Sequence, residues 1–492
     1  MVTAFVGSGG KTTAIFTQAA QLRAQGKRVL VTTTTHLQTP AALAAEGRTL
    51  PLFEERYLSL TSDPAEIAAR LEADGFCIAA LPAEESGKLA PLPTAVYEAV
   101  CPLADAVLVE ADGSRGLPLK APASHEPVIP ANADEIVVLC GLSALGKPLS
   151  QVTHRLPQAL ALLPGADGGT LVDPGLLLRL ATAAYLEPLR RRFSGVPVRL
   201  LPGQADTLYR RCVAAMLSAE LDPAPLRECW FAPAPHLVLL GGGHVSLALY
   251  RVARVLDWRV TVLDDRPEFA DPTRFPEANV IRADFNDLEK DLPTAPGVWY
   301  AVLTHGHLWD KVCVETILRA APRRGYLGMI GSRTKTRAVF SALREAGFSE
   351  EDLATVRAPI GLDLGGQTPA EIAVSIAAQL IQEGSAHGAS SLTDELLALE
   401  QTPGLTGAFA LILEKKGSAP RGPGSLLILE PDGTRTGTVG GGSLELRVLE
   451  ELTAMLADHA PALIRTYDVS AAEGASLGMV CGGRVTLLLG LL

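Results

Sequence analysis

A basic excess, paired cysteines and long apolar runs are all missing from this chain, and each absence argues against a class of function. Lysine and arginine total 43 against 54 aspartates and glutamates, a formal net charge of -11. Duplex nucleic-acid binders carry a basic excess, so the balance argues against nucleic acid as a partner and against general attraction to anionic membranes. The cysteines, at 77, 101, 140, 212, 229, 313 and 481, are odd in number and far apart, without a CxxC pair. That suits reduced thiols in a cytoplasm rather than a disulfide framework or a structural zinc site. No uninterrupted apolar run of about 18 residues occurs, so no membrane insertion is expected. The N-terminus, MVTAFVGSGGKTT, lacks the charged and apolar regions of a secretory signal. Cytoplasmic localisation follows as the expectation. The 46 glycines and 35 prolines show no fixed period, which excludes collagen-like and low-complexity classes.

What is present is enough apolar sequence to bury cores: 48% hydrophobic residues in 492. That length predicts about three domains. Residues 1–222 alternate short apolar runs (TAFVG, RVLVTTTT, AVLVEADG, EIVVLCG, VRLLPG) with Ala/Leu-rich helical stretches, predicting a doubly wound α/β domain. A proline-rich stretch, LDPAPLRECWFAPAPH, reads as a linker. Residues 236–384 open as strand, glycine turn, helix and strand, and close on a helix with Thr368 as N-cap and Pro369 at its first position. Residues 404–492 read as a small α+β domain, with strands AFALILEKK, GSLLILEP and RVTLLLGLL, a turn at Pro431-Asp432-Gly433 and a helix from about Ser443.

The first candidate site is Gly7-Ser8-Gly9-Gly10-Lys11-Thr12-Thr13, between a strand and a helix. Glycines let backbone N–H groups converge on phosphate oxygens, and the helix N-terminus adds partial positive charge. Lys11 would reach the β- and γ-phosphates of ATP or GTP, and the Thr12 hydroxyl a magnesium ion. Phe5 stands where the standard P-loop has its first glycine, so the loop resembles the shorter GTxGKTT loop of Mur-ligase-type nucleotide binders. The strand AVLVEADG supplies Glu110 and Asp112 as candidate magnesium-side carboxylates. Lys11 and Asp112 are therefore candidate catalytic residues. Thr32–Thr35 end another strand at the same edge and offer hydroxyls to substrate or metal water. Asp206 alone matches the guanine-reading Asn-Lys-x-Asp pattern, which leaves the base undecided.

The second is Gly241-Gly242-Gly243-His244-Val245-Ser246, a G-x-G-x-x-G pattern with serine at the last position. The first glycine makes the turn, the second admits a pyrophosphate and the third position needs a small residue for packing. RVTVLDD places Asp264 where an acidic ribose contact is expected. His305, His307 and Asp310 in THGHLWD could bind metal or transfer a proton, although Gly306 between the histidines suggests a turn. Ser332, Arg333 and Lys335 open a helix as a further anion cradle.

The third is a set of glycine loops around Arg421, Gly441 and Gly442, with Glu445 in the first helical turn, where a flat or anionic ligand could approach the main chain. Cys481, flanked by glycines, is accessible in sequence terms. Its thiolate could carry sulfur as a persulfide, or bind a chalcogen or soft metal.

Three resemblances follow from these motifs. GSGGKTT (7–13), VLVTTTTHL (29–37), VLVEADGSRGLPLKAPASHEPVIP (107–130) and THR (153–155) resemble the YqeC family, accessory proteins of selenium-dependent molybdenum hydroxylases. That would bring Glu110, Asp112, Arg115, Lys120, His125 and Glu126 to one cleft. LLGGGHVS (239–246), VLDDRPEFA (262–270), THGHLWD (304–310), YLGMIGSRTK (326–335) and APIGLDLGGQTPAEIAVSIAAQL (358–380) resemble the Rossmann domain of the XdhC/CoxI family, xanthine dehydrogenase accessory proteins. GSAPRGPG, GTVGGGSLE (437–445) and GMVCGG (478–483) resemble that family's other domain, here in swapped order. Together they imply a maturation factor that binds molybdenum cofactor, in a dinucleotide form among others. It would assist sulfuration or selenation and insertion, with Cys481 near the molybdenum or chalcogen and nucleotide used by the N-terminal domain. Its partners would be a molybdenum hydroxylase apoenzyme and a sulfur or selenium donor protein, with a homodimer left open. Two other readings compete: an NAD(P)-dependent oxidoreductase using His305 or His307, and a non-catalytic carrier that only senses nucleotide.

Overall fold

Short, near-continuous apolar runs are what a parallel sheet buried on both faces requires. They form its central strands in the computed structural model, which describes residues 1–113, 115–231, 235–295, 297–387, 392–400, 402, 404–417, 421–468 and 483–492. The N-terminal strands include β1 (Val2–Gly7), β2 (Val29–Thr33), β3 (Leu58–Ser59), β4 (Phe76–Ala79), β5 (Ala106–Glu110), β6 (Leu119–Lys120), β7 (Glu135–Gly141), β8 (Thr153–His154) and β9 (Val198–Gly203). Among the described residues, seven of these form one sheet in the order β9-β7-β1-β5-β2-β4-β3, all parallel. β6 and β8 pair separately. β3 and β4 are shorter strands that the sequence pattern does not single out.

From β1 the chain builds β2 and then β5 on one side, and β7 and β9 on the other. The strand order therefore reverses at β1, and the crevice at the carboxyl ends of strands beside such a switch point is where open α/β sheets bind ligands. Helix α1 (Lys11–Ala24) leaves β1 there. It packs Ile15, Phe16 and Ala19, all fully buried, against the strands. Phe16 meets Phe53 in a tilted ring pair with centroids 4.2 Å apart. Helix α2 (Leu208–Ser218) follows β9.

The central strands β10 (His236–Leu240), β11 (Arg259–Asp264), β12 (Asn279–Arg282), β13 (Trp299–Val302) and β14 (Tyr326–Met329) form a second parallel sheet in the order β12-β11-β10-β13-β14. It is a Rossmann-type arrangement, with its own switch point between β10 and β13. Its helices include α3 (His244–Val255), α4 (His307–Ala320), α5 (Arg333–Glu345) and α6 (Pro369–His387). At α6 the Thr368 hydroxyl accepts from Glu371 N while the Glu371 carboxylate accepts from Thr368 N, a reciprocal cap. The helix runs on through the small residues after Glu383 to His387.

The C-terminal part pairs β15 (Ala408–Gly417), β16 (Leu426–Leu429), β17 (Arg435–Gly437), β18 (Leu463–Asp468) and β19 (Gly483–Leu491) in the order β17-β16-β15-β19-β18. Helix α7 (Gly442–Asp458) covers one face through Leu444, Val448, Leu449 and Leu452.

The chain divides into two compact units. One holds Met1–Leu226 together with Pro403–Pro423 and Leu427–Leu492; the other is essentially Arg227–Thr402. Within the first unit, α2 meets β19. Arg211 Nη1 donates to Leu405 O at 2.8 Å, and a Cβ on Gly490 would lie 3.2 Å from Ala215 Cβ. Cys77, Cys101, Cys140, Cys212 and Cys313 are free thiols buried in the fold. No helix among the described residues is long and apolar enough to cross a membrane.

Candidate functional site

Only three residues, Ser8, Gly9 and Gly10, separate β1 from α1. Gly7, Gly9 and Gly10 all take positive φ (84°, 81° and 114°), where a side chain would be strained. A Cβ on Gly9 would lie 2.3 Å from Gly141 Cα, and one on Gly203 would lie 2.2 Å from Gly9 O. The loop is thus pressed flat on the ends of β7 and β9, leaving its other side to a cleft of about 1980 Å³. Gly9, Gly10, Lys11, Thr12 and Thr13 line that cleft.

Lys11 opens α1 and is buried. Its Nζ donates to Gly7 O at 2.8 Å and lies 3.9 Å from Glu110 Oε1. Burial lowers its amine from the ordinary lysine value, against the opposing pull of Glu110 and Asp112. Thr12 Oγ1 donates to Glu110 Oε2 at 3.2 Å. Burial pushes the Glu110 carboxyl up, with Lys11 and Thr12 working against the rise. Lys11, Thr12 and Glu110 therefore form one cluster at the helix start.

Asp112 lies two residues further on, fully buried, and both its oxygens are engaged by protein donors. Oδ1 pairs with Lys120. Oδ2 accepts from Gly7 N at 3.1 Å and from Tyr185 OH at 2.7 Å. Lys120, 3% exposed, also pairs with Glu126 at 2.7 Å. Glu126 in turn takes a bidentate pair from Arg155. Although burial works to raise the Glu126 carboxyl, hydrogen bonds from Arg155 and Lys120 hold it down to about 2. The buried Tyr185 hydroxyl is pushed well up by burial and by Asp112. Of the residues expected together, Glu110, Arg115, His125 and Glu126 line the cleft, whereas Asp112 and Lys120 form the buried frame behind it. Tyr185 escapes sequence reasoning, because nothing in LATAAYLEPL marks a tyrosine that will reach a carboxylate 73 positions earlier.

Three of the four threonines at the end of β2 and just beyond it are committed to the backbone: Thr32 to Ala79 O, Thr33 to Glu110 O and Thr34 to Val128 O. Only Thr35 lines the cleft. Asp206 pairs with Arg210 on the surface.

The second glycine loop, Gly241–Gly243, is built differently. A Cβ on Gly241 (φ 106°) would lie 2.5 Å from Leu303 O, and one on Gly242 would lie 2.4 Å from Phe269 O. Gly243 faces open space. Gly242 N donates to Asp264 Oδ2 at 2.6 Å, and Arg274 Nη2 donates to Gly242 O at 3.1 Å. Asp264 is fully buried and also accepts from Arg266 through N, Nε and Nη2. Burial works to raise its carboxyl, and the Arg266 and Gly242 donors bring it below its usual range. His244 starts α3 at the surface, and Ser246 is buried with its hydroxyl unpaired among the described residues.

Gly306 is the N-cap of α4 and His307 its first residue, so the two histidines flank a turn. His305 Nδ1 lies 3.9 Å from Asp265. Asp310 accepts from Thr304 Oγ1 at 2.6 Å and pairs with Lys335. Ser332 caps α5 by accepting from Lys335 N at 3.2 Å. Arg333 is exposed at the helix start. Among the described residues no three His, Cys, Asp or Glu side chains group as a metal site.

In the C-terminal part, Glu445 Oε2 accepts from Thr438 Oγ1, Val439 N (3.2 Å) and Gly441 N (3.1 Å), clamping the glycine loop. Gly441 and Gly442 take positive φ of 72° and 64°. Arg421 is exposed. Cys481 lies outside the described residues.

Comparison with known proteins assigns each part separately. Residues 3–157 match the family model described as YqeC protein, 237–380 the XdhC Rossmann domain, and 401–468 the XdhC and CoxI family. The uncharacterized protein YqeB of Escherichia coli (strain K12) is 28% identical over 229 residues, covering 45% of this chain and 40% of that protein. The uncharacterized protein YqeC of the same strain is 37% identical over 164 residues, covering 32% and 58%. A probable xanthine dehydrogenase subunit of Bacillus subtilis (strain 168) is 27% identical over 151 residues, covering 30% and 43%. The chain thus spans 40% to 58% of the length of these relatives. A solved structure described as a xanthine dehydrogenase from Bacillus halodurans shares 26% identity over 32% of this chain and 46% of that one, with a TM-score of 0.29, which does not establish a shared overall fold.

Proposed function

We propose that this chain, which joins a YqeC-family part to both XdhC-family parts with the Rossmann part first, is a maturation factor for molybdenum hydroxylases of the xanthine dehydrogenase type. In this reading it binds molybdenum cofactor, assists its sulfuration or selenation, and delivers it to the apoenzyme. The N-terminal part binds ATP or GTP with magnesium. The observation that carries the reading is the loop at the first switch point, with Lys11, Thr12 and Glu110 at one helix start, in a chain whose other parts are of XdhC type.

The residues present suit a magnesium nucleotide. Glu110 is a buried carboxylate whose charge is disfavoured by burial, so an added cation beside it would be favourable. Thr12 already lies against it. The flattened loop turns backbone toward the cleft, as a phosphate cradle needs. Asp112, with both oxygens engaged, holds Gly7 N and so fixes where the loop begins. Lys11 would exchange its bond to Gly7 O for phosphate oxygens. Thr12 and Glu110 would hold the metal side, Glu110 directly or through water. Once bound, the nucleotide supplies a transferable phosphoryl group and the metal ion neutralises its charge.

Each XdhC-type part would make its own contribution to holding the cofactor. The open face at Gly243, with His244, Ser332, Arg333 and Lys335 around the same strand ends, suits a pyrophosphate, whereas Asp264, expected as a ribose contact, is buried and holds Gly242 N and Arg266 instead. Arg421, Gly441, Gly442 and Glu445 would meet the pterin side, with Cys481 presenting the chalcogen. In the test, the full chain is purified from cells supplied with molybdenum and selenium, and its cargo is read by mass spectrometry and elemental analysis. Pterin with stoichiometric molybdenum is expected. NAD(P) without pterin or molybdenum would overturn the reading in favour of an oxidoreductase.

A further inference from the structure

The cleft facing the glycine loop is larger than one nucleotide needs. Its volume is about 1980 Å³, whereas a site for one small ligand holds roughly 300–1,000 Å³. Besides Lys11 it is lined by Arg115, His125, His154 and Arg155. Arg155 is anchored by its bidentate pair to Glu126. Lys120 is bound inward to Asp112 and Glu126, so both carboxylates already have a cation.

Arg115 is the cation left over. It lines the cleft, makes no hydrogen bond or ion pair among the described residues, and sits in the left-handed region at φ 51°. Non-glycine residues pay for that conformation, and those that keep it cluster at ligand sites. Cations converge here: burial, then the charges of Arg155, Lys120 and Arg115, lower the His154 imidazole. Thr35 adds a hydroxyl on the same cleft that is buried and unpartnered among the described residues.

We infer that the N-terminal cleft binds a second, anionic substrate beside the nucleotide, a small molecule bearing a phosphate or carboxylate group held by Arg115 and His154 with Thr35. This inference rests on the nucleotide reading of the loop. The anion sits against the wall formed by the β5–β6 connection and β8, and the triphosphate against the start of α1. The two subsites have different cations, so they are separable by mutation.

Calorimetric titration of the full chain tests this with two probes: the non-hydrolysable ATP analogue AMP-PNP with magnesium, then inorganic phosphate added to the nucleotide-saturated protein. One phosphate per chain is expected on top of the nucleotide. Arg115→Ala should weaken phosphate by about tenfold or more, the loss of a charge-assisted contact, and leave AMP-PNP within about twofold. Lys11→Ala should lose AMP-PNP and keep the phosphate. Two results would overturn the inference: no phosphate binding to the nucleotide-saturated wild type, or equal weakening of both probes by Arg115→Ala, which would place Arg115 on the triphosphate. If the wild type ignores AMP-PNP yet binds phosphate in an Arg115-dependent, Lys11-independent way, the nucleotide reading fails and the anion subsite stands.

Discussion

Two glycine loops in this chain each link a parallel strand to a helix, and in each a buried aspartate ties a loop N–H to a cation, but among the described residues only the first loop has a further carboxylate on its cleft. At the first loop, Glu110 faces the site cation and a metal-suited hydroxyl, and a second carboxylate, Asp112, is buried behind it with Lys120 and Tyr185. At the second loop, Asp264 turns inward and ties Gly242 N to Arg266, and no lysine stands in the loop. The lesson is that a glycine turn alone says little about its ligand. The two loops differ in the charge placed at the first helical turn, Lys11 in one and His244 in the other, and in whether a carboxylate lines the cleft beside it.

The largest way to break the comparison is to remove the buried frame. Lys120→Met leaves Asp112 and Glu126 without their shared cation, and removing one partner of a buried pair costs about 3–5 kcal/mol. Hydrogen exchange should show that loss in residues 1–226 and none in the Rossmann unit. The same frame sets an acid limit. Glu126 is held at about 2 against 4.5 when unpaired, so its contribution is full above about pH 4.5 and disappears as pH falls through 2. Glu126→Gln should flatten that part of the acid-unfolding curve.

Next comes the loop cation. Lys11→Ala should weaken magnesium nucleotide about a hundredfold, the scale of a lost charge-assisted contact of about 2–3 kcal/mol, measured by titration. Ligands of the Rossmann unit should be unaffected. Asp264→Ala is smaller. It strands Gly242 N and Arg266, so the Rossmann unit should lose about 1–3 kcal/mol, read as the shift of its unfolding midpoint. The smallest effect on stability belongs to Gly243, whose added Cβ meets nothing. Gly243→Ala should change stability by no more than about 0.5 kcal/mol while reducing occupancy of the unit's own ligand.

Much of this frame was legible in the sequence, and the reason is local. β1, β2, β5, β7 and β9 each coincide with an apolar run, and Lys11 opens a helix because Ser8, Gly9 and Gly10 turn the chain. The Thr368 cap and the Pro431–Gly433 turn are equally local, the latter closed by Gly433 N on Glu430 O. The burial of Lys120 was not legible. The resemblance put Lys120 near one cleft, but nothing in GLPLKAP shows that it turns inward to Asp112 and Glu126, within eight residues on either side, while Arg155 from a separate segment takes Glu126. The four threonines at the end of β2 invited a role for every hydroxyl, but neighbouring carbonyls took three of them. Glu445 reads as a helix-dipole partner from sequence, yet its carboxylate clamps three donors in the preceding loop, a tertiary fact.

The most direct single measurement is magnesium nucleotide binding by the full chain beside its Lys11→Ala and Gly243→Ala variants. The account predicts one ATP or GTP per chain, lost in Lys11→Ala and retained in Gly243→Ala. Nucleotide binding that survives Lys11→Ala and disappears with Gly243→Ala, or a wild type that binds none, would contradict it.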